Sequence, residues 1–397
     1  MPPKTIYKIV HQYSQGPISE EDMKKLQDIA ADYGKVKNYV YKRFGGIASL
    51  SKLYPGYTVQ NEMTESGLRG SLGMPSVYFY LAIFDALGDL KAQWTRTKTR
   101  ILKNVGQNEG FTEEEKQYLC FLLKISNAFE QVLNQKPIEL TKELDEQYHL
   151  LLEQVDAGKL HRYLCRQVRK YQVKLHTENV AGFSASGSAY RYGDGGIYIS
   201  TKERRKRIFV PLTDHNQYKS QLYIKLNPKE NSIEIHVPLQ RAIRKHEDYT
   251  RRIGIAFGIH TMLTTDEGHR YGDEFGTCHI GYADWNRRQA ASYRRNKEDN
   301  PGRKKYYAMK RRKEEQLRSY INQELNRFLQ IEKPQIIYMA RMPGIHTKGP
   351  DKRINHSVSL WQKGYIQKRL LQKCEEQSVE IVEVPGKGIG RECSCCG

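Results

Sequence analysis

Three cysteines near the last residue of the sequence have the spacing of metal ligands. Cys393 and Cys396 form a CxxC pair, and Cys395 lies between them. A structural zinc ion takes four ligands, typically two such pairs or cysteines together with histidines. The sequence offers one pair here, with Cys278 and His279 as the alternative source of the missing ligands. We expect this pair to hold no zinc.

Basic residues are concentrated in two stretches that could bind phosphate. The first stretch, 287–313, has Tyr293, Tyr306 and Tyr307 interleaved, and the second is KERRKR at 202–207. Such runs can be solvated faces, but two of them in a chain of net charge +20 favour contact with nucleic acid. The candidate phosphate-binding residues are Lys202, Arg204, Arg205, Lys206, Arg207, Arg287, Arg288, Arg294, Arg295, Arg303, Lys304, Lys305, Lys310, Arg311, Arg312 and Lys313.

The composition excludes a membrane protein and a secreted disulfide scaffold. The mean hydropathy is −0.73 and the pI is about 9.4, and no apolar run approaches the ~20 residues that span a bilayer. The first residues, MPPKTIYKIV, lack the apolar core of a secretory signal, and the other cysteines are scattered, as reduced thiols are. We therefore expect a cytoplasmic protein with no membrane partner.

Patterning along the chain predicts a multidomain α+β protein. A first strand lies within 1–17, and 18–170 has helical periodicity, with Thr112 and Glu115 matching a capping box. From 171 to 249 short alternating segments at 196–200, 207–212, 221–226 and 232–239 predict a small β-barrel. In the last of these, Ile233, Ile235 and Val237 face away from Glu234 and His236.

From 250 to 387 the pattern alternates strands with helices. IGIAFGI at 253–259 leads to a turn at 266–268, and a long basic helix around 306–329 precedes a buried strand at 336–339. A second helix, which carries Leu360, Tyr365, Ile366 and Leu370 on its apolar side, leads to a strand at 379–384. This order of hairpin, helix, strand, helix and strand predicts an RNase H-like α/β domain.

The C-terminal third resembles the TnpB family of transposon-encoded, RNA-guided nucleases, which are relatives of type V CRISPR effectors. IGIAFGI resembles the first RuvC motif, and KPQIIYMARMPGI at 333–345 resembles the second. The segment 359–397 is similar to the stretch that enters the family's zinc ribbon. The resemblance implies a helical recognition domain at 18–170, a wedge-like barrel at 171–249, a RuvC-like domain at 250–387 and a vestigial half zinc ribbon at 388–397.

The resemblance also implies that the acidic ligands of the nuclease centre are missing. A RuvC site cuts with two metal ions held by carboxylates, and Ala256 and Ala340 stand where the family has aspartate and glutamate. The third acid follows the ribbon in the family, whereas this sequence ends at Gly397. We expect no catalytic Mg²⁺, with a displaced set of ligands, Asp266, Glu267 or Asp273, as the alternative.

By resemblance to TnpB-like nuclease-dead repressors, the expected partners are a guide RNA and a double-stranded DNA target next to a short flanking motif, with one protein monomer per guide RNA. The resemblance implies that such a protein lies at the bacterial nucleoid and represses transcription by occupying a promoter. Ser76, Tyr78 and Tyr80 are candidates to read the flanking motif, with burial in the core as the alternative. The other functional readings are a TnpB-type nuclease inactivated by engineering, one that retains RNA processing, and a transposon remnant.

Overall fold

The computed structural model describes residues 5–294, 302–341 and 351–386. The chain divides into two compact units. The N-terminal unit is Lys8–Leu239, and the C-terminal unit is Gln240–Gly397 together with Met1–Tyr7. Among the described residues no helix is both long and apolar enough to cross a membrane.

The N-terminal unit confirms the predicted helical region. The first helix begins after Ser19, whose Oγ accepts a hydrogen bond from the backbone N–H of Asp22 at 3.1 Å. The predicted capping box is present, because Thr112 and Glu115 each accept the other's backbone N–H. The helices are α1 Glu20–Phe44, α2 Tyr57–Glu65, α3 Leu68–Ser71, α4 Ser76–Gly106, α5 Glu113–Lys124, α6 Ser126–Leu133, α7 Lys142–Leu152 and α8 Ala157–Tyr171.

The strands associated with this unit form two open sheets. They are β1 Thr5–Tyr13, β2 Gly182–Ala185, β3 Tyr190–Gly193, β4 Gly196–Ser200, β5 Arg207–Pro211, β6 Leu222–Asn227 and β7 Ser232–Ala242. The sheet orders are β1-β7-β6-β2 and β3-β4-β5. The four predicted strands are therefore confirmed, as β4, β5, β6 and β7.

The predicted closed barrel is wrong for the described residues. Strand β2 pairs with β6 alone, yet all four of its residues are buried. This burial comes from the helices, since Ser184 of β2 donates a hydrogen bond to Asp85 of α4 at 2.7 Å and Phe183 packs edge-on against Tyr78 of α4. Helix packing thus replaces the strand pairing that would close a barrel. One continuous hydrophobic core runs from Ile18 to Val237 and joins the helices to the sheets.

The C-terminal unit contains one mixed sheet with the order β10-β9-β8-β11-β12. Strands β8, β11 and β12 are parallel, while β9 and β10 are antiparallel to their neighbours. The predicted order of elements is confirmed, with α9 and α11 in addition. The elements are β8 Arg251–Phe257, β9 Leu263–Thr265, β10 Arg270–Tyr271, α9 Phe275–Arg294, α10 Gly302–Glu332, β11 Pro334–Arg341, α11 Lys352–Ser359, α12 Lys363–Glu376 and β12 Glu380–Pro385.

Alternation along β8 and β11 separates the two faces of this sheet. Ile253 and Ile255 of β8 and Ile337 and Met339 of β11 are buried in a core that also contains residues of α10 and α12. Successive side chains of a strand point to opposite faces. The residues between these apolar positions, and those that follow them, therefore project from the other face of the sheet.

Candidate functional site

Ala256 and Ala340 occupy neighbouring positions at the carboxyl ends of two parallel strands. Met339 pairs with Ile255 in the register of β11 and β8, so the next residue of each strand also lies side by side. Ala256 is exposed and Ala340 is half-buried. Adjacent strands are about 4.8 Å apart, and both side chains project from the same face. The structure thus brings together two residues that are widely separated in sequence.

The adjoining strand ends at the same place. A Cβ atom added to Gly386, just after β12, would lie 3.6 Å from the Cβ of Ala340 and 2.7 Å from the backbone oxygen of Arg341. Carboxylates at positions 256 and 340 would be close enough to share a divalent ion, because hard cations are held by groups of oxygen ligands. The two methyl groups offer no ligand atom, so the residues at these positions do not fit a catalytic Mg²⁺.

The three acids predicted as alternative ligands are engaged elsewhere. Asp266 accepts the backbone N–H of Gly254 through Oδ2 at 3.1 Å, in the turn next to the amino-terminal half of β8. Glu267 forms an ion pair with Arg251, the first residue of β8. Asp273 accepts a hydrogen bond from Thr261 at 3.3 Å, beside β10 at the edge of the sheet.

A carboxylate that accepts several hydrogen bonds lies at the amino ends of β8 and β11. Glu332 at the end of α10 is fully buried. It accepts hydrogen bonds from the guanidinium of Arg251, from Nδ1 of His269 at 2.7 Å and from the hydroxyl of Tyr271 at 2.5 Å. Hydrogen bonding to Arg251 also holds the pKa of Glu267 below its usual value. Both carboxylate oxygens of Glu332 therefore already accept hydrogen bonds, and the cluster has a structural role.

Helices α9 and α10 place aromatic rings among the predicted basic residues. Trp285 of α9 stacks on Tyr306 of α10 with ring centroids 5.8 Å apart, and the Nζ of Lys313 lies 5.6 Å from the centroid of the Trp285 ring. Trp285 was missed by sequence reasoning. The available signal was its position two residues before the Arg287–Arg288 pair.

The basic side chains of α9 and α10 are largely exposed. Arg287 and Arg288 lie near Asp284, whose carboxylate is already bound by Arg353 at 3.1 and 2.6 Å. That hydrogen bond is the main reason that the pKa of Asp284 is lowered. Lys305, Arg311 and Arg312 are exposed, and Lys310 and Lys313 are half-buried. The side chains of Arg294, Arg295, Arg303 and Lys304 lie outside the described residues.

The second basic run forms the loop between β4 and β5. Its Lys202 forms an ion pair with the buried Asp32, and Lys206 pairs with Glu203 at 2.5 Å. Burial acts to raise the pKa of Asp32, but hydrogen bonds from Lys202 and Lys35 lower it overall. Two of the loop's cations are therefore used within the fold.

The three arginines of this loop, Arg204, Arg205 and Arg207, are exposed. The loop lines a cavity of about 440 Å³ together with Gly73, Met74 and Pro75. This cavity lies next to the start of α4, close to the residues predicted to read a flanking motif.

One of those three residues is not available for contact with DNA. Tyr78 is fully buried, and its hydroxyl donates a hydrogen bond to the backbone oxygen of Ser200 at 2.7 Å. The helical period explains this, because Tyr78, Ala82 and Ala86 lie on the buried side of α4. Ser76 is exposed and Tyr80 is half-buried, so these two remain candidates.

The predicted cysteine site can be followed only in part. Cys393, Cys395 and Cys396 lie outside the described residues. Cys278 is exposed, whereas His279 is fully buried, with its Nε2 3.0 Å from the backbone oxygen of Ser357. Burial lowers the pKa of the His279 imidazole. Side chains in such different surroundings do not form a ready pair of ligands.

Comparison with known proteins gives a similarity at the level of solved structures. No protein-family model and no curated protein sequence matches the chain. A cryo-EM structure of a Cas12f1–sgRNA–target DNA complex matches with 14% identity and a TM-score of 0.28, covering 99% of this chain and 88% of that one. A CRISPR-Cas12f ternary complex matches with 14% identity and a TM-score of 0.29, covering 99% and 91%. Such low scores assign neither fold nor function.

Proposed function

We propose that this chain is an RNA-guided DNA-binding protein without nuclease activity, and that it represses transcription by occupying its target. The observation that carries the proposal is the pair Ala256 and Ala340. The sheet places them side by side at the carboxyl ends of β8 and β11, at the two positions where the resemblance to RuvC motifs requires metal-binding acids. Without carboxylates there, the two-metal chemistry of phosphodiester cleavage has no ligands at these positions.

The basic surfaces give this proposal its binding mechanism. Cations such as Arg311 and Arg312 on α10 would contact phosphates, and Trp285 with Tyr306 offers aromatic faces beside them. In RNA-guided recognition, sequence is read by pairing between guide and target, while the protein holds the backbones and reads a short flanking motif. The net charge of +20 therefore suits a protein that needs many phosphate contacts and few base contacts.

The decisive experiment is to sequence the RNA that co-purifies with the protein and to map its DNA by chromatin immunoprecipitation from the same cells. The expected result is one abundant RNA with a constant scaffold and a short variable end that matches the bound locus. Reporter transcription from that locus should rise when the protein is deleted. Random RNA together with diffuse DNA occupancy would contradict guided binding.

Cleavage is tested separately on the purified complex. With Mg²⁺ and a matched DNA target, we expect binding without cutting. Cutting by the unmodified protein would overturn the nuclease-dead part of the proposal and favour displaced ligands such as Asp266 or Asp273. Trimming of the guide precursor without DNA cutting would instead identify a retained RNA-processing activity.

The phosphate contacts predict a strong dependence on salt. On duplex DNA each phosphate neutralised by the protein contributes about 0.9 to the slope of log K against log salt concentration. Replacing Arg311 and Arg312 with glutamine should therefore reduce the slope measured by fluorescence anisotropy. The charge-matched control is Lys333→Gln with Lys368→Gln, two cations of the same unit outside the α9–α10 pair. Equal slopes for the two double variants would show that α10 does not contact phosphate.

A further inference from the structure

Two histidines and a glutamate meet on one face of the sheet β1-β7-β6-β2. Glu234 and His236 are separated by one residue on β7, so both side chains project from the same face. The intervening Ile235 and its neighbour Ile233 are buried on the other face. His11 lies on β1, which is the strand next to β7. Strand pairing thus joins residues from the two ends of the N-terminal unit.

The spacing of these side chains is that of metal ligands. Nδ1 of His11 lies 2.9 Å from Oε1 of Glu234, and Nε2 of His236 lies 3.1 Å from the same oxygen. The three candidate ligand atoms all lie within 4.8 Å of one another. Tetrahedral zinc with bonds of about 2.0–2.1 Å sets neighbouring ligand atoms about 3.3 Å apart. The cluster is therefore close to the arrangement that such an ion would impose.

One nitrogen of the cluster lacks a hydrogen bond. Nε2 of His236 is buried and makes no hydrogen bond with any described residue, although it lies close to the carboxylate oxygen. The ring of His236 is fixed by contacts with His11, at a centroid distance of 4.5 Å, and with Tyr223, at 5.7 Å. A buried polar atom that makes no well-aligned hydrogen bond costs free energy. An ion at the centre of the cluster would satisfy it.

Lys225 orients the carboxylate for this role. Its Nζ lies 2.7 Å from Oε2 of Glu234, which leaves Oε1 directed toward the two histidines. Partners of this kind, which hold a ligand without touching the metal, are common around metal sites.

A second group with similar composition lacks these properties. Glu267, His269 and Glu332 of the C-terminal unit also bring their ligand atoms within 4.8 Å of one another. There the guanidinium of Arg251 donates to both carboxylates, so a cation would have to displace a fixed positive charge. In the His11 group the nearby cation, Lys225, binds the carboxylate oxygen that faces away from the histidines.

We propose that His11, Glu234 and His236 bind a divalent ion of the zinc class. The ligands are one nitrogen of each histidine and Oε1 of the carboxylate, and a further coordination position faces solvent, since the His11 side chain is 41% exposed. Two imidazoles and a carboxylate suit Zn²⁺, Co²⁺ or Ni²⁺ better than Mg²⁺ or Ca²⁺. The bound ion would tie the edge strand β1 to β7.

Titration of the full chain with Co²⁺ after chelator treatment tests the proposal. Cys393→Ser with Cys395→Ser and Cys396→Ser serves as the background, so that the terminal thiols do not compete. We expect one site per chain, with visible absorption bands of nitrogen and oxygen ligation and no sulfur-to-cobalt charge-transfer band. Zn²⁺ should displace the Co²⁺ and raise the unfolding temperature, because an ion that binds the folded state stabilises it.

Single substitutions identify the ligands. His11→Asn, at an exposed position of the edge strand, and Glu234→Gln should each weaken Co²⁺ binding by at least about 100-fold, since loss of an outer partner alone costs about 10- to 100-fold. His149→Ala, on the exposed face of α7, is the matched control and should bind as the background does. Circular dichroism checks that each variant is folded. Absence of a Co²⁺ site in the background, or unchanged binding in folded His11→Asn, would overturn the proposal.

Discussion

The two ends of strands β8 and β11 differ in their chemistry. At the amino ends, the buried Glu332 is surrounded by Arg251, His269 and Tyr271, all of which donate to it. At the carboxyl ends of the same strands, Ala256 and Ala340 lie side by side and present methyl groups. At the amino ends the charged groups are paired with one another, while positions 256 and 340 at the carboxyl ends offer no ligand atom.

This contrast separates residues that hold the fold from residues that could do chemistry. A saturated carboxylate contributes stability and is poorly suited to recruit a metal, because its oxygens already accept strong hydrogen bonds. Acids in a nuclease centre need oxygens that remain available to the ion. The sheet retains the first kind of acid and lacks the second at positions 256 and 340. This contrast supports the proposal of binding without cleavage.

The largest expected effect is a loss of stability when Glu332 is replaced at the amino ends of β8 and β11. Glu332→Ala leaves the Arg251 guanidinium and two further donors without their buried acceptor, and removal of one member of a buried ion pair costs about 3 kcal/mol or more. We expect the free energy of unfolding of the C-terminal unit to fall by about 3 kcal/mol. Denaturant titration followed by the fluorescence of Trp285 and Trp361, in a Trp94→Phe background, measures it.

The control for this prediction is Glu375→Ala. Glu375 is an exposed glutamate of α12 in the same unit, and surface substitutions usually change stability by less than about 0.5 kcal/mol. Equal midpoints for Glu332→Ala and Glu375→Ala would show that the buried network does not stabilise the sheet. The comparison between the two ends of the strands would then lose its basis.

A smaller effect is expected when acids are introduced at positions 256 and 340, at the carboxyl ends of β8 and β11. Ala256→Asp combined with Ala340→Glu places two carboxylates on adjacent strands of one face, and affinity for hard cations rises with the number of charged oxygen ligands. We expect the double variant to bind Mn²⁺ at least about tenfold more tightly than either single variant. The electron paramagnetic resonance signal of free Mn²⁺ measures the binding.

The single variants are matched controls because each adds one carboxylate at one of the two positions. The parent protein gives the background binding by other surface acids. If the double variant binds Mn²⁺ no better than the single variants, the strand ends do not hold positions 256 and 340 together. The proposed loss of a nuclease centre at this place would then need a different geometry.

Local patterns predicted most elements of the fold, and nonlocal packing accounts for the errors. Alternation predicted β4 without error, and apolar runs predicted β8 and β11. Strand β2 was missed because all four of its residues are buried, which removes the alternation. The barrel was predicted from strand spacing, but strand spacing cannot reveal that α1 and α4 cover β2. Helix α9 was missed because its apolar residues do not form a clean stripe.

In the candidate sites, too, local patterns predicted single residues, while nonlocal packing decides which of them meet. The motifs predicted positions 256 and 340, while their adjacency depends on a strand register that no local pattern encodes. The stacking of Trp285 on Tyr306 depends on how α9 packs against α10. For Tyr78, helical periodicity already allowed the core placement that the structure shows. The pairing of His11 with Glu234 joins residues far apart in the chain, so the sequence pattern revealed only the part of that cluster on β7.

The smallest expected effect concerns acid sensitivity at the charged end. Hydrogen bonding to Arg251 lowers the pKa of Glu267 in the folded protein below its ordinary value of 4.5. A lowered folded-state pKa means that the unfolded chain takes up the proton first, so this stabilisation is complete above the unfolded pKa and is lost as the pH falls. Glu267→Gln removes this titration and should give a shallower loss of stability below pH 4.5 in tryptophan-monitored unfolding. If the stability of parent and variant depends on pH in the same way, the ion pair of Arg251 with Glu267 contributes nothing to stability. Glu332 alone would then account for the difference between the two ends of the strands.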